Sequence, residues 1–542
     1  MEVAVTLDAS KPAHGELRIL VASTLGTLIE CYDFFLYGSL ASVLSKQFFA
    51  GLSEQTQFIF ALLAFGVGFA FRPLGALIFG RLGDTKGRKS TFVVTLLLMG
   101  CATFGVGLLP GYQQWGSAAP ALLIFLRVLQ GIGIGGEFGG AAIFVAEHAP
   151  PDRRGANTSW IQATGALGMV LALLVVYACR SMFGSEFDRW AWRIPFLLSG
   201  VMLIISLYVR LSISESPLFL KMKAEGRTSR RPIAETFGSW ANLKMILIAL
   251  FGLITGVTTV IYTAQIYALF FLSRTLRVDG GTTGLYVAIA LTAAIPLFWV
   301  FGTLSDRIGR KPVILTGCLL GALAYFPVFH AITHYGNPAL ESAVAASPVT
   351  VYADRRSCNF QFDPIGQRRF VSECDRVKAL LSRSGIPYRN ADVSPLSPVV
   401  VWIGDTHLQG ADLEAVQSNL ERAGYPASAD PARINGVMVV GMLFLMSIFL
   451  AMVFAPLSAA LVEMFPARIR YTALSFPYHV GNGLVGGFFP AIAFAIVSQT
   501  GNIYAGLWYP VGFSFATAIV GFLFLKRELL TGIESLNNDT AC

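Results

Sequence analysis

The sequence predicts an all-α membrane protein of twelve transmembrane helices. They form two pseudo-symmetric six-helix halves, with a small α/β extracytoplasmic insert between helices nine and ten. Three observations predict this: twelve separate apolar runs, a ten-residue motif that occurs twice, and one long polar stretch that interrupts the second half. The composition agrees, since 54% of the 542 residues are hydrophobic and only 13% charged, outside the range of ordinary soluble domains.

The apolar runs fall at about 17–44, 54–79, 90–110, 119–146, 156–179, 194–209, 243–273, 284–301, 312–333, 434–462, 471–498 and 503–525. Each is near the ~20 residues that a helix needs to cross a bilayer, the sixth being the shortest. The net charge of +8 does not point to nucleic acid. Lys and Arg instead cluster in alternate short links between runs, which by the positive-inside rule places both termini in the cytoplasm. No cleavable signal peptide is expected, because the first 16 residues hold no apolar core. The seven Cys include no metal-ligand spacing, so no metal or cofactor is expected. The chain has no G-x-x-x-x-G-K-[ST] phosphate loop and no nucleophile–base constellation, which argues against an ATP-driven pump or an enzyme.

The repeated motif is GRLGDTKGRK at Gly80–Lys89 and GTLSDRIGRK at Gly302–Lys311. Both copies follow the second run of a six-run half, so the halves are related in parallel orientation. Gly80 and Gly302 suit close helix approach. Gly87 and Gly309 suit a turn with positive φ. Asp84 and Asp306 can pair with basic residues or cap a helix start.

Polar groups inside the runs are the candidate chemistry. The first run holds Glu30 and Asp33, which share a helix face with Tyr37. The second holds Arg72; the fourth holds Arg127, Gln130 and Glu137. A carboxylate at membrane depth costs ~2.5–3.5 kcal/mol unless paired, wetted or protonated, so these are site candidates. Arg72 has two readings: it binds an anionic substrate bidentately, or it braces Glu30 or Glu137. The second half offers Tyr262, Gln265 and Tyr267 in the seventh run. The eleventh run, SFPYHVGNGLVGG, carries Ser475, Tyr478, His479 and Asn482 on one face. His479 is either structural or in touch with substrate or proton.

With these motifs in hand, the chain resembles the major facilitator superfamily, and within it the metabolite:proton symporters. The residues that carry the resemblance are both loop motifs, Glu30 to Gly38, Arg72-Pro73-Leu74-Gly75, Arg127 to Glu137, Trp192 to Phe196, and Glu215-Ser216-Pro217 with Phe219. The resemblance implies alternating access between the two halves. It implies Asp33 as proton carrier with Arg127 as its modulator, Glu30 and Glu137 being rival carriers. It implies a substrate site drawn from Arg72, Tyr37, Gln130, Tyr262, Gln265, Tyr478, His479 and Asn482. It implies a cytoplasmic gate of Gly80, Asp84, Arg88, Glu147, Arg154, Asp306, Arg310, Glu463 and Arg470. The expected function is proton-coupled import of a small carboxylate such as α-ketoglutarate or another di- or tricarboxylate, across a bacterial inner membrane, by a monomer surrounded by lipid. The alternatives are a zwitterionic osmolyte (proline or betaine) or shikimate-type importer, and a non-transporting sensor that uses the insert.

The organisation read from the chain is 1–212, first half; 213–242, cytoplasmic linker; 243–334, three helices; 335–433, insert; 434–542, the last three helices and a short tail. The insert reads as βα-βα: VTVYADRR and PVVVWIGD as strands, RFVSECDRVKALLSRSGI and ADLEAVQSNLERAGY as helices. Cys358 and Cys374 lie within it, either paired or as two free thiols. Its role is open among lid, docking module and neutral addition.

Overall fold

Helices stand at all twelve predicted positions in the computed structural model, which describes residues 13–50, 54–354, 356, 358–359, 372–394, 397–410 and 412–526. They are α1 (Ala13–Phe48), α2 (Glu54–Thr85), α3 (Arg88–Leu108), α4 (Ala118–His148), α5 (Pro151–Phe183), α6 (Arg193–Leu211), α7 (Trp240–Thr275), α8 (Gly280–Ile308), α9 (Arg310–Gly336), α10 (Gly436–Met464), α11 (Arg470–Thr500) and α12 (Ala505–Phe524). The last ten are each long and apolar enough to cross a membrane. Both terminal segments expected in the cytoplasm, 1–12 and 527–542, lie outside the described residues.

The helices expose apolar side chains outward, among them Leu174, Ile204, Ile205, Leu323 and Phe522, as a lipid-facing surface requires. The halves meet along two matched lines: α2 packs on α11, and α5 packs on α8. Small residues permit this. A methyl on Gly80 would lie 2.7 Å from Thr472 Cα, and one on Gly302 would lie 2.6 Å from the Gly155 carbonyl oxygen. After each of these helices the chain turns through a left-handed glycine, Gly87 at φ 130° and Gly309 at φ 96°, the conformation that glycine tolerates without a Cβ clash.

Two helices are irregular. Helix α7 contains three π-helical segments, Leu250–Ile254, Thr263–Tyr267 and Phe271–Thr275. Helix α11 contains another at Gly481–Gly486. Such segments recur at functional sites because they release backbone groups and rotate the following face. Tyr262, Gln265, Asn482 and the run around them sit at these breaks.

Between α9 and α10 lies a four-stranded sheet: β1 (Val349–Ala353), β2 (Tyr388–Asp392), β3 (Val400–Ile403) and β4 (Thr406–Gln409), in the order β2-β1-β3-β4. Strands β1 and β2 are parallel, joined through helix Glu373–Arg383, and β3 pairs antiparallel with β1 and β4. A second helix, Leu413–Arg422, follows. Val349, Val351, Val401, Ile403, Val377, Leu381, Val416 and Leu420 form the buried core. The βα-βα reading therefore missed two strands. Both are the outer strands, and their sequences, YRNAD and THLQ, are mostly solvent-exposed and lack the apolar alternation that marks a half-buried strand.

This unit is fastened to the ends of α7, α9 and α11. The Tyr388 amide donates to the Gly501 carbonyl at 2.9 Å, and the Tyr388 hydroxyl donates to the Ser498 carbonyl. Asn390 Nδ2 donates to the Thr500 carbonyl at 3.0 Å. Arg277, after α7, donates to the carbonyls of Arg383 at 2.9 Å and Ala427 at 3.2 Å.

Cys358 and Cys374 are bonded, which resolves the open choice between a bridge and two thiols. The bridge closes a loop over a separation of 16 residues, a constraint worth about 3 kcal/mol in a chain-entropy account. The paired substitution Cys358→Ser and Cys374→Ser is expected to lower the melting midpoint of the purified protein, and reductant should do the same to the unaltered chain. An unchanged midpoint in both would count against the bridge.

Candidate functional site

Three groups of buried charge occupy the long helices, and they differ in how completely each charge is answered. The first joins α1, α3 and α4. Arg127 Nη1 approaches Asp33 Oδ2 at 3.4 Å, with both side chains buried. That is beyond the 2.7–3.2 Å of a well-formed N–H···O bond. Asp33 Oδ1 accepts a second bond from Gln130 Nε2 at 3.1 Å, and Gln130 also donates to the Thr103 hydroxyl at 2.8 Å. The Tyr37 ring lies under the Arg127 guanidinium, 3.6 Å from Cζ to centroid, a cation–π contact that helps to hold a buried cation. Arg127 Nε and Nη2 are buried with no hydrogen-bond partner. Tyr37 and Gln130, expected among substrate contacts, are thus placed around Asp33 and Arg127, because one helical turn separates each from the charge on its own helix.

The second group joins α3, α4 and α6. Glu137 pairs with Arg210, both fully buried. Thr95 donates its hydroxyl to Glu137 Oε2 at 3.0 Å, and Arg210 Nη1 donates to the Phe92 carbonyl at 2.7 Å. The Phe92 ring lies 3.4 Å from the Arg210 Cζ. Helix α1 passes so near that a methyl on Gly26 would sit 1.6 Å from Arg210 Nη2. Glu137, a rival proton carrier in the sequence reading, is therefore held in a closed network. Arg210 escaped that reading because it sits at the end of the shortest apolar run and looks like an ordinary flanking charge.

The third group lies where the halves face each other. Arg72, in α2, is buried, and its guanidinium sits 4.3 Å from the centre of the Phe69 ring and 5.8 Å from that of Phe34. Arg72 makes no hydrogen bond or ion pair with any described residue, and its Nε is buried without a partner. It braces neither acid: Glu137 belongs to Arg210, and half-buried Glu30 stands in its electrostatic field without contact. Opposite Arg72, Tyr262 donates to Asn482 Oδ1 at 2.9 Å, and Asn482 Nδ2 donates to the Tyr478 hydroxyl at 3.1 Å. Tyr478 stacks on Phe138 of α4 at 3.5 Å between centroids. His479 is fully buried, within the field of Arg72, and neither ring nitrogen has a partner. Buried polar atoms normally find partners, and Arg72 Nε and both nitrogens of His479 have none among the described residues. Gln265, half-buried at a π-helical break, makes no described polar contact.

The two loop motifs close one end of the molecule. Asp84 pairs with Arg88 at 2.7 Å and also accepts the backbone amides of Tyr471 and Thr472, at 3.0 and 2.9 Å, at the start of α11. Asp306 pairs with Arg310 at 2.6 Å and accepts the amides of Gly155 and Ala156, both at 2.8 Å, near the start of α5. Each aspartate thus does both things the motif allowed, and each caps a helix of the opposite half. Glu147 pairs with Arg470 across the halves at 2.9 Å, whereas Glu463 pairs with Arg310 of its own half at 3.1 Å. Arg154 Nε donates to the Ala146 carbonyl at 3.3 Å. Glu215, quoted above only as part of a motif, accepts the amides of Arg88 and Lys89 at 3.1 and 3.0 Å and so caps α3.

Comparison with known proteins fits this architecture. Residues 19–352 match the family described as sugar (and other) transporter, a match that ends inside β1. A glycine betaine/proline/ectoine/pipecolic acid transporter of Dickeya dadantii is 34% identical over 332 residues, 59% of this chain and 65% of that protein. The match thus spans just under two thirds of that relative. An inner membrane metabolite transport protein of Escherichia coli is 34% identical over 424 residues, covering 75% of this chain and 93% of that one. A citrate-proton symporter of Salmonella typhi is 33% identical over 322 residues, 59% of this chain and 73% of that one. The solved structure of a proton:xylose symporter shares the fold, with TM-score 0.64 at 17% identity over 96% of this chain and 99% of that one. The chain belongs to the major facilitator superfamily, in its sugar (and other) transporter family.

Proposed function

We propose that the protein is a proton-coupled importer of a small carboxylate-bearing metabolite. In this reading it has twelve spans in two halves, both termini and the two loop motifs in the cytoplasm, and the insert outside. The observation that carries it is the contrast between two buried arginines. Arg127 faces an acid it holds only loosely, and Arg72 contacts none among the described residues. Glycine betaine, proline, ectoine, pipecolic acid and citrate, the solutes named for the relatives, share one feature, a carboxylate. A guanidinium offers a planar fork that fits a carboxylate with two parallel bonds. Arg72 takes that role, with Tyr262, Tyr478, His479 and Asn482 shaping the opposite wall. The finer choice, a di- or tricarboxylate, keeps the zwitterionic and shikimate-type solutes as its competitors.

Asp33 is the proton carrier in this scheme and Glu30 its rival. When Asp33 takes a proton, it no longer offers a full charge to Arg127, whose hold on α1 then changes; when Arg127 returns, the proton leaves. Each tenfold bias between states needs only about 1.4 kcal/mol, a scale that suits a 3.4 Å contact better than a fully bonded pair. The loop-motif contacts keep the cytoplasmic end shut in the state described, and the halves rock about the midplane site to open it. The sensor alternative differs in one respect: it predicts no solute movement in reconstituted vesicles.

Three outcomes follow. Asp33→Asn should abolish accumulation driven by an inward proton gradient while retaining counterflow exchange of solute; gradient-driven accumulation that survives would transfer the role to Glu30. Arg72→Lys keeps the charge but loses the fork, and should raise the KM for a carboxylate solute by about 10- to 100-fold with a smaller effect on the maximal rate. Asp84→Asn removes the charge that pairs with Arg88 and turns one of the two oxygens that accept the amides of Tyr471 and Thr472 into a donor. It should therefore raise the labelling rate of a cysteine placed at Ser458, which bonds Gln162 across the halves at 3.0 Å, and an unaltered rate would remove Asp84 from the gate.

A further inference from the structure

The linker between the halves forms a cleft that none of the preceding roles uses. Its volume is about 690 Å³, and it lies between the short helix Pro232–Gly238 and the α10–α11 connection, Pro466 to Ile469. Three arginines line it, Arg230, Arg231 and Arg468, against one acid, Glu235. That acid is already engaged: Glu235 grips Arg468 with two contacts, 2.8 Å to Nε and 2.9 Å to Nη2. Asn242 donates to the Glu235 carbonyl at 2.8 Å and so fixes the back wall. Arg230 and Arg231 are exposed and make no ion pair with any described residue. Their two guanidiniums, beside a pair that is already neutral, leave the cleft with two unanswered positive charges.

The cleft has a definite position in the machinery. In the connection that lines it, the carbonyl of Ala467 accepts from Arg88 Nη2 at 2.7 Å, and just before it that of Phe465 accepts from Arg470 Nε at 3.0 Å. Arg470 in turn holds Glu147 of the other half. The connection that lines the cleft is thus the same one that the closed gate uses. Beside it, Trp240 opens α7 with 71% of its surface exposed, as an aromatic residue at a membrane–water boundary does.

From this juxtaposition we infer that the cleft binds a phosphate-bearing anion between Arg230, Arg231 and the α10–α11 connection, and that its occupancy favours the closed gate. Phosphate oxygens accept bidentate bonds from arginine, and the cleft lies where two sources of that group meet it, a phospholipid headgroup and a soluble phosphate. An anion that bridges the linker to the connection stabilises the arrangement in which both are held, and by linkage biases the carrier toward it. Binding stands apart from the transport reading; the effect on the gate rests on it.

The test uses the full chain in detergent and in lipid discs, with the double variant Arg230→Gln/Arg231→Gln, whose side chains are exposed. In detergent, inorganic phosphate should raise the melting midpoint more than chloride at equal ionic strength, and the variant's affinity should fall about tenfold or more. In discs, phosphatidylglycerol added to phosphatidylcholine should raise it likewise. A shift with phosphate assigns a soluble source, and a shift with phosphatidylglycerol alone assigns the lipid. No shift in either arm, or an equal shift in the variant, overturns the site. The labelling rate of a cysteine at Ser458 should fall severalfold when the effective anion is present, in the parent and not in the variant; a binding shift without that change overturns the link to the gate.

Discussion

A charge buried in an apolar bundle has to be answered by another group, and in this protein the completeness of the answer grades three sites. Removing an ion from water costs several kcal/mol even after relaxation, and the cost is recovered only with good geometry and further hydrogen bonds. Glu137 and Arg210 meet that standard, with Thr95 and the Phe92 carbonyl taking up the remaining valences. Such a network fixes helices α3, α4 and α6 and has little reason to open. Asp33 and Arg127 meet it in part, at 3.4 Å and with two donors of the guanidinium left over. Arg72 does not meet it at all within the described residues. The three sites thus run from a closed network through a loose pair to an unanswered charge, and the ordering comes from hydrogen-bond satisfaction, with no appeal to position in the chain.

The closed end obeys the same constraint in a different way. Asp84 and Asp306 are buried acids, and each is satisfied by an arginine four residues on and by two backbone amides from the opposite half. Those amides belong to helix starts, where donors are free and the dipole favours negative charge. The closed end thus combines carboxylates on helix-start amides with one buried ion pair across the halves, Glu147–Arg470.

Much of this was legible in the sequence because periodicity and repetition are local signals. Twelve apolar runs, the paired G-x-L-x-D-x-x-G-R-K motifs and the positive-φ glycines needed no tertiary knowledge. The meeting of Asp33 with Arg127 was reachable from helix faces plus the resemblance of two halves. Other features were not legible, for physical reasons. Arg210 sits at a helix end, where a snorkelling surface charge and a buried partner look alike. Tyr37 and Gln130 were assigned to the substrate wall because a helical face says which residues neighbour each other but not what lies opposite. Strands β2 and β4 were missed because outer strands expose both faces and lose the alternation. The irregular turns of α7 and α11 carry no compositional mark beyond glycine.

The insert shows how an addition can coexist with a moving scaffold. Every hydrogen bond described between it and the long helices goes to the second half, to the ends of α7, α9 and α11. A unit fastened to both halves would add contacts that must be remade in each cycle; one fastened to a single half adds stability without that cost. Its attachment also joins two helices that are individually irregular, α7 with three π-helical segments and α11 with one. Helices with such breaks bend readily at them, so tying their far ends together confines the bending to the stretch between the brace and the midplane. That stretch holds Tyr262, Gln265 and Asn482, which places the remaining freedom of the second half beside the buried, unpaired nitrogens of Arg72 and His479.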